Sequence, residues 1–394
     1  MEAIPQIPPE LHDRIIDHLH DDFSALAACG LASRIWLSSV RYHRFGSTQI
    51  TVPRFEEFSD LLENSPEIGA YVYDLSLGTR RTPVHRVLPD HMITTLVRRL
   101  PYVEHLRLVS FIWKPRYQVL YEAYPGLRTL RIEHCRFDSE TENSDGFVDF
   151  VSSFHRLTTL SLHRPVQVTH AGGCGWIWNK SLQHPPLRNL ELTSVPGAET
   201  LCDWLRHGPS LPNISTFFTS VSEDWEGAIA LHAFKSFGET IENLTLVLDS
   251  YSGLESLFED SAFTISYCTN LRSLNLELRI HGMCIRTDPT LRRITSILSQ
   301  ITSPHIEKIM LSVYADPMSD FSGLDTECAV RPLRLASFTD LMELNWDGIY
   351  CAVARELSSG LPALSVRATG RSEPLRKHLA NYNSGVGFEQ IKDE

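Results

Sequence analysis

Apolar residues recur at positions i, i+3 and i+5 along most of the chain. Val72, Leu75 and Leu77 form one such triplet, and Val103, Leu106 and Leu108 the next. Leu127, Leu130, Ile132, then Leu157, Leu160, Leu162, then Leu187, Leu190, Leu192 continue the series. A weak unit keeps only Ile214 and Phe217, after which Ile241, Leu244, Leu246 and Leu271, Leu274, Leu276 restore it. Ile306, Ile309, Leu311, then Leu341, Leu344, Trp346, then Leu361, Leu364, Val366 complete eleven units, whose starts lie 20 to 35 residues apart. One triplet carries no information in a leucine-rich chain, whereas a near-regular series is a repeat.

Within a triplet the i+3 and i+5 side chains share one face of a short strand. Between triplets the spacing turns helical. Ile93, Leu96, Val97 and Leu100 show it, as do Leu201, Trp204, Leu205 and Leu291, Ile294, Ile297, Leu298, Ile301. Pro101, Pro125-Gly126 and Gly208-Pro209 punctuate these elements. One strand and one helix of this length cannot bury their apolar faces alone, but stacked copies can. A doubly wound α/β domain is the alternative. Its strands would read as continuous apolar runs, whereas polar residues stand between the leucines here.

The LxxLxLxx pattern resembles the leucine-rich repeat. Leu127 to Cys135, LRTLRIEHC, matches its full form, while most other units lack the terminal Asn or Cys. The resemblance implies an α/β fold: a horseshoe solenoid with parallel strands on the concave face and helices outside. It would span residues 51–380, with a capping helix near 54–63 built on Phe55, Phe58, Leu61 and Leu62, and leave 381–394 as a C-terminal tail.

Residues 1–50 do not follow the repeat. Pro8-Pro9 opens a helix, where a fixed φ and a missing N–H do no harm. Leu11, Ile15 and Leu19 form a stripe with Ile16 beside it, and Asp21-Asp22 ends this helix and can cap the next. Leu26, Cys29 and Leu31 give the second helix an apolar side, and Ile35, Trp36, Leu37 and Val40 lie on a third. Three short helices carry more apolar side chains than so small a body can hide. The segment resembles an F-box, the module that docks on the Skp-type adaptor of cullin-RING (SCF) ubiquitin ligases. Ile7-Pro8-Pro9-Glu10-Leu11 is similar to the family's Leu-Pro-x-Glu-Leu opening, with isoleucine for leucine. Cys29 to Trp36 is similar to its Cys-x-Val-Ser-Arg-x-Trp stretch, with altered spacing. The resemblance implies adaptor contacts from Pro8, Pro9, Leu11, Ile15, Ile16, Leu19, Leu26, Leu31 and Trp36. A helical cap on the solenoid is the alternative reading.

Lys plus Arg number 36 and Asp plus Glu 48, a net charge of -12, so no general attraction for nucleic acid or an anionic membrane is expected. MEAIPQIPPE lacks the basic start and apolar core of a signal peptide, and no apolar run approaches membrane-spanning length. A cytoplasmic or nuclear protein is expected. The eight cysteines include no CxxC pair and read as free thiols, most of them small core residues. His18, His20, Asp21 and Asp22 could ligate a metal, but His18 and His20 point apart on a helix, and a solvated helix end is the simpler account. Gly172-Gly173-Cys174-Gly175 lacks the lysine of a phosphate loop and reads as a turn. No GxSxG or HExxH occurs, so neither enzymatic activity nor a cofactor is expected.

The architecture that these resemblances imply is an SCF substrate receptor, its F-box holding the adaptor and its repeats an unidentified target protein. A leucine-rich-repeat scaffold without a ligase role is the alternative. In LxxLxLx the residues at i+2, i+4 and i+6 alternate away from the leucines. His105, Arg107, Arg131, Glu133 and His163 would line the early concave face, Thr216, Phe218 and Asn243 its centre, and Glu277, Glu343, Asn345 and Asp347 its end. That face should run from weakly basic to acidic. Phe218 is either an exposed anchor or the residue that fills the weak sixth repeat.

Overall fold

In the computed structural model, the described residues are 8–78, 86–87, 96, 98–113, 124–138, 151–164, 167–169, 184–207, 213–249, 263–281, 289–316, 334–335, 346–355, 363–368, 377 and 386–390. The chain divides into two compact units, residues 1–186 and 187–394.

The first unit opens with three helices, α1 (Pro9–Asp17), α2 (Phe23–Ala32) and α3 (Leu37–Phe45), with a 3-10 turn at Arg34–Trp36. Pro9 stands in the first turn of α1. Asp22 starts α2, its Oδ1 accepting hydrogen bonds from the Ser24 and Ala25 amides at 3.0 and 2.9 Å. Ile16, Leu26 and Val40 form the core, and Leu19, Cys29 and Trp36 pack against it half-buried. A Cβ on Gly30 would stand 3.2 Å from Val40 Cγ1, so the glycine lets α2 approach α3 closely despite its helix cost of about 1 kcal/mol. Asp17 Oδ1 meets His43 Nε2 at 2.8 Å, and the Ser39 hydroxyl donates to Asp13, tying α1 to α3.

Strand β1 (Ser47–Ile50) follows α3 and pairs in parallel with β2 (Asp74–Gly78). The sheet therefore begins inside the segment that the sequence assigned to the helical module. Between them lies α4 (Phe55–Asn64), at the position expected for a capping helix, with Phe55 and Leu62 buried. Beyond the two-residue β3 (Arg86–Val87) come β4 (His105–Val109), β5 (Phe111–Trp113), β6 (Thr129–Glu133), β7 (Arg136–Asp138), β8 (Thr159–His163) and β9 (Gln167–Thr169). They form two parallel ladders, β1-β2-β4-β6-β8 and β3-β5-β7-β9.

The second unit carries β10 (Asn189–Thr193), α5 (Ala198–His207), β11 (Thr216–Val221), α6 (Asp224–Phe237), β12 (Asn243–Asp249), β13 (Ser273–His281), α7 (Pro289–Leu298), β14 (Lys308–Asp316), β15 (Arg334–Leu335), α8 (Trp346–Arg355), β16 (Ala363–Ala368) and β17 (Val386–Gln390). Its strands pair in parallel in the order β10-β11-β12-β13-β14-β16-β17, and β15 joins β14 antiparallel.

The leucine register is the one expected. Leu75, Leu106, Leu130 and Leu160 face one another across the first ladder, and Leu190, Phe217, Leu244, Leu274, Ile309 and Leu364 across the second. All are buried. Several repeats enter their strands the same way. Two successive amides donate to one carbonyl of the preceding repeat, as from Glu104 and His105 to Tyr73, Arg128 and Thr129 to Glu104, and Glu242 and Asn243 to Ser215. Each of four repeats leaves its strand through a left-handed residue, Ser110, His134, Arg164 and Ser194, all at position i+7. Cys135 follows that turn, and its thiol lies 3.5 Å from the Leu108 carbonyl of the previous repeat. This serial register makes the chain a leucine-rich-repeat protein in fold.

Three features differ from the sequence reading. Trp346, expected in a strand, opens α8, and β14 pairs directly with β16, so the unit at Leu341 adds no strand between them. Leu341 and Leu344 themselves lie outside the described residues, as do Ile93, Val97 and Gly172 to Gly175. Val386–Gln390, in the expected tail, adds β17 to the sheet. In the weak sixth repeat Thr219 takes the i+5 position and is buried, while Phe217 fills the core. The Phe217 ring packs edge-to-face on Phe234 and Phe237 at centroid distances of 5.9 and 5.6 Å.

Candidate functional site

Two surfaces are available for interaction, one on the helical module and one on the sheet. On the module, Leu11 and Ile15 stand one turn apart on α1 and are 47% and 46% exposed. Phe23 opens α2 at 62%, Leu31 sits near its end at 91%, and Ile35 lies in the 3-10 turn at 66%. Among the described residues, the other exposed large apolar side chains are four tyrosines and Leu61. Pro8 is exposed, and Leu19 and Trp36 are half-buried. Ile16 and Leu26 need correcting. Both were expected to be available to an adaptor, and both are fully buried because they are the core on which the three helices close. The Pro9 side chain lies outside the described set. Phe23 and Ile35 were missed. Phe23 precedes the apolar side that begins at Leu26, and Ile35 falls in a 3-10 turn where helical spacing no longer reports facing.

The module joins the first unit through α3. The Gly46 carbonyl accepts from the Tyr73 and Asp74 amides at 3.1 and 2.9 Å, and Arg41 Nη2 meets Glu67 Oε1 at 2.8 Å. Thus α3 and β1 continue the stack, while the exposed residues of α1 and α2 lie on the rest of the module.

On the sheet, residues at i+2, i+4 and i+6 do alternate away from the leucines. The rows differ in exposure. His105 and Asn243, at i+2, are exposed. Arg107, Arg131 and Phe218, at i+4, are half-buried. In the i+6 row Val109, Glu133, Val247 and Ser312 are buried while His163 and Glu277 are half-buried. Glu133 was expected to face a target. Its side chain is instead 2% exposed and holds two arginines. Arg107 donates Nε to Oε1 at 2.9 Å and Nη2 to Oε2 at 3.0 Å, and Arg131 donates Nε to Oε1 at 2.6 Å. Two cations stand on one carboxylate, so the early basic character is partly cancelled. At the other end, Glu343 and Asn345 lie outside the described residues, and Asp347 is on helix α8 rather than on a strand. Burial and the Glu277 charge together push the Tyr314 phenol above its ordinary range, against the pull of Arg367 and Arg279.

Phe218 lies on the face away from the core, between Glu191 and Thr245 in register, with Ser220 two residues on. It does not fill the weak repeat, because Phe217 does. The Thr216 side chain is half-buried beside Asn189 and Asn243.

No described group suggests bond chemistry. Cys135, Cys202 and Cys268 are buried, and burial raises the thiols of Cys135 and Cys268 to about 12 and that of Cys202 further. Such thiols stay protonated and unreactive at neutral pH. Cys29 is half-buried and Cys351 exposed; Cys174, Cys284 and Cys328 lie outside the described residues. Asp22 of the HLHDD run caps α2, and Asp21 pairs with His20 at 3.0 Å. Among the described residues no helix is long and apolar enough to cross a membrane.

No family model matches the chain, and no curated protein matches it in sequence. Among solved structures the chain is similar to the leucine-rich repeat-containing protein LegL7 from Legionella pneumophila. The two are 11% identical over 68% of this chain and 83% of that one, with a TM-score of 0.31. The fold assignment rests on the strand order and register above, not on that superposition.

Proposed function

We propose that this protein is the substrate receptor of an SCF-type ubiquitin ligase. The helical module docks on a Skp-type adaptor, and through it on a cullin-RING ligase, while the repeats hold a target protein. The observation that carries this reading is the set of exposed apolar side chains on the module, Leu11, Ile15, Phe23, Leu31 and Ile35. Exposed apolar residues concentrated on one small module mark an interaction site. Full burial of an exposed side chain of this kind is worth at most roughly 1.5–3 kcal/mol before the cost of association, and less for Leu11 and Ile15, which are already about half covered. The sequence resemblance of residues 7–36 to an F-box names the partner. The repeat stack supports a scaffold that presents one protein to another, and the protein performs no bond chemistry of its own. Its contribution is proximity, raising the target's effective concentration near the ubiquitin-charged enzyme.

The test is capture of a purified Skp-type adaptor by the full chain. Leu11→Asp with Ile15→Asp places two charges in a dry contact, where desolvation is severe. Neither side chain is in the module core, so the fold should survive. Capture should be lost with the melting profile unchanged. Full capture by the double variant would place the contact elsewhere. No capture by the wild-type chain would leave a leucine-rich-repeat scaffold without a ligase role.

A further inference from the structure

Arg107 and Arg131 are directly opposite each other in register on neighbouring strands, about 4.8 Å apart along the hydrogen-bonding direction. Like charges so placed repel. The Glu133 carboxylate, buried at the strand end, offsets this by accepting from both guanidinium groups. The offset is incomplete, since two cations share one anion. It is also directional. Arg107 gives both Nε and Nη2 to the carboxylate and so is fixed in plane, leaving Nη1 without a partner among the described residues. Arg131 gives only Nε, leaving Nη1 and Nη2. The two arginine side chains remain 34% and 39% exposed.

The surroundings are rich in hydrogen-bond donors. The buried Ser161 stands opposite Arg131 in register, the exposed His105 lies two residues before Arg107 and opposite Asp74, and Thr129 and Thr159 carry hydroxyls in the same row. Across β2, β4, β6 and β8 the residues at i+4 are Ser76, Arg107, Arg131 and Ser161. Prearranged arginine forks bind planar oxyanions through paired hydrogen bonds, which gives geometric specificity as well as energy. On a chain of net charge -12, a local excess of guanidinium is not a general surface property.

We infer that Arg107 and Arg131, held by Glu133, form the seat for an oxyanion side chain of the target: a carboxylate or a phosphorylated residue in an acidic peptide segment. The inference rests on reading the repeats as the target-binding part. It adds the chemistry of what they bind. Arg107 and Arg131 are the binding residues. Glu133 is a positioning residue that acts through them.

The test titrates the full chain with three labelled probes: a hexa-glutamate peptide, a glycine-serine peptide carrying one phosphoserine, and a hexa-glutamine control. At low salt, one of the acidic probes should bind saturably and the glutamine probe should not. Binding should weaken at least about tenfold on raising the salt, as expected for a contact made by exposed charges. Arg107→Gln or Arg131→Gln should each weaken it about fivefold or more, and Arg131→Lys should retain part of it, having the charge without the fork. Whichever acidic probe binds about tenfold more tightly identifies the source of the oxyanion. Two results overturn the inference: equal binding of the glutamine probe, or acidic-probe binding unchanged in both arginine variants. Where a variant fails to fold, the wild-type chain decides, because the Arg107 and Arg131 side-chain Nε–H signals must shift on probe addition. Fixed signals sink the idea. Adaptor capture is measured in parallel. Lost probe binding with adaptor capture intact refutes only this inference, and the reverse refutes only the ligase reading.

Discussion

Arg107 grips the Glu133 carboxylate through two parallel hydrogen bonds, Nε to Oε1 at 2.9 Å and Nη2 to Oε2 at 3.0 Å, from one strand to the next. The pair crosses a repeat boundary, so it couples adjacent units of a stack in which stability is otherwise built neighbour by neighbour. Arg131 shares the same carboxylate from within its own strand. Glu133→Gln should therefore lower stability by about 1–3 kcal/mol, since it withdraws the charge from three charge-assisted hydrogen bonds and leaves the arginines facing each other. Urea unfolding checks this. The midpoint should fall with the slope unchanged, and an unmoved midpoint would mean that the network is decorative.

The two adjacent phenylalanines of the sixth repeat separate core from surface. Phe217→Ala should cost about 3–5 kcal/mol, because it empties the centre of an aromatic cluster with Phe234 and Phe237. Phe218→Ala should cost under about 1 kcal/mol, since that side chain is half-buried on the opposite face. Comparable losses at both positions would contradict the register.

Leu190→Ala and Leu274→Ala remove side chains 1% and 0% exposed, on the first strand of the second unit's sheet and on one of its central strands. Each should cost about 2–5 kcal/mol, with the spread set by how far the cavity collapses. Thermal melts of the two variants check it.

Gly78 occupies a left-handed conformation at φ 102°, and a Cβ there would stand 2.0 Å from the Val109 carbonyl oxygen. Gly78→Ala should destabilise by more than about 2 kcal/mol, because strain and collision act together. Gly126→Ala, where an added Cβ meets nothing within 4 Å, should stay within about 1 kcal/mol of the parent. Equal effects would remove the reason given for the glycine at the strand end.

Cys135 and Cys268 carry thiols raised from an ordinary 9.0 to about 12 by burial. Between pH 9 and 12 the unfolded chain releases these protons and the folded chain keeps them, so stability must fall as pH rises through that window. Below it the two states hold the same thiol protons and these groups contribute no pH dependence. Thiol labelling of the folded chain at neutral pH should reach Cys351 and spare Cys135, Cys202 and Cys268. Rapid labelling of Cys135 would contradict its burial.

How far the fold could be read from sequence depended on the kind of residue. The triplet leucines gave their own register, because a residue buried in every repeat leaves a periodic trace. Ile15 and Ile16 did not reveal which of them faces inward. Ile15 lies on the apolar stripe of α1 and Ile16 beside it, and the choice is made by Leu26 and Val40 arriving from other helices. Ser47–Ile50 and Val386–Gln390 escaped notice because strands at the margins of the series carry too few apolar residues to mark a triplet. Trp346 was misplaced because an apolar residue at the right spacing cannot by itself tell a strand from a helix start. Glu133 looked like a surface charge, since pairing across strands is set by register and not by spacing along the chain. Phe23 and Ile35 stood at the beginning and beyond the end of a helix, where periodicity carries no information.

The central claim is that the module's exposed apolar side chains are a docking face for a Skp-type adaptor. Hydrogen–deuterium exchange of the full chain, with and without the adaptor, tests it most directly. The account predicts slowed exchange confined to α1, α2 and the turn at Arg34–Trp36, with β4, β6 and β8 unchanged. Protection that appears on those strands instead, or no protection anywhere at saturating adaptor, would contradict it.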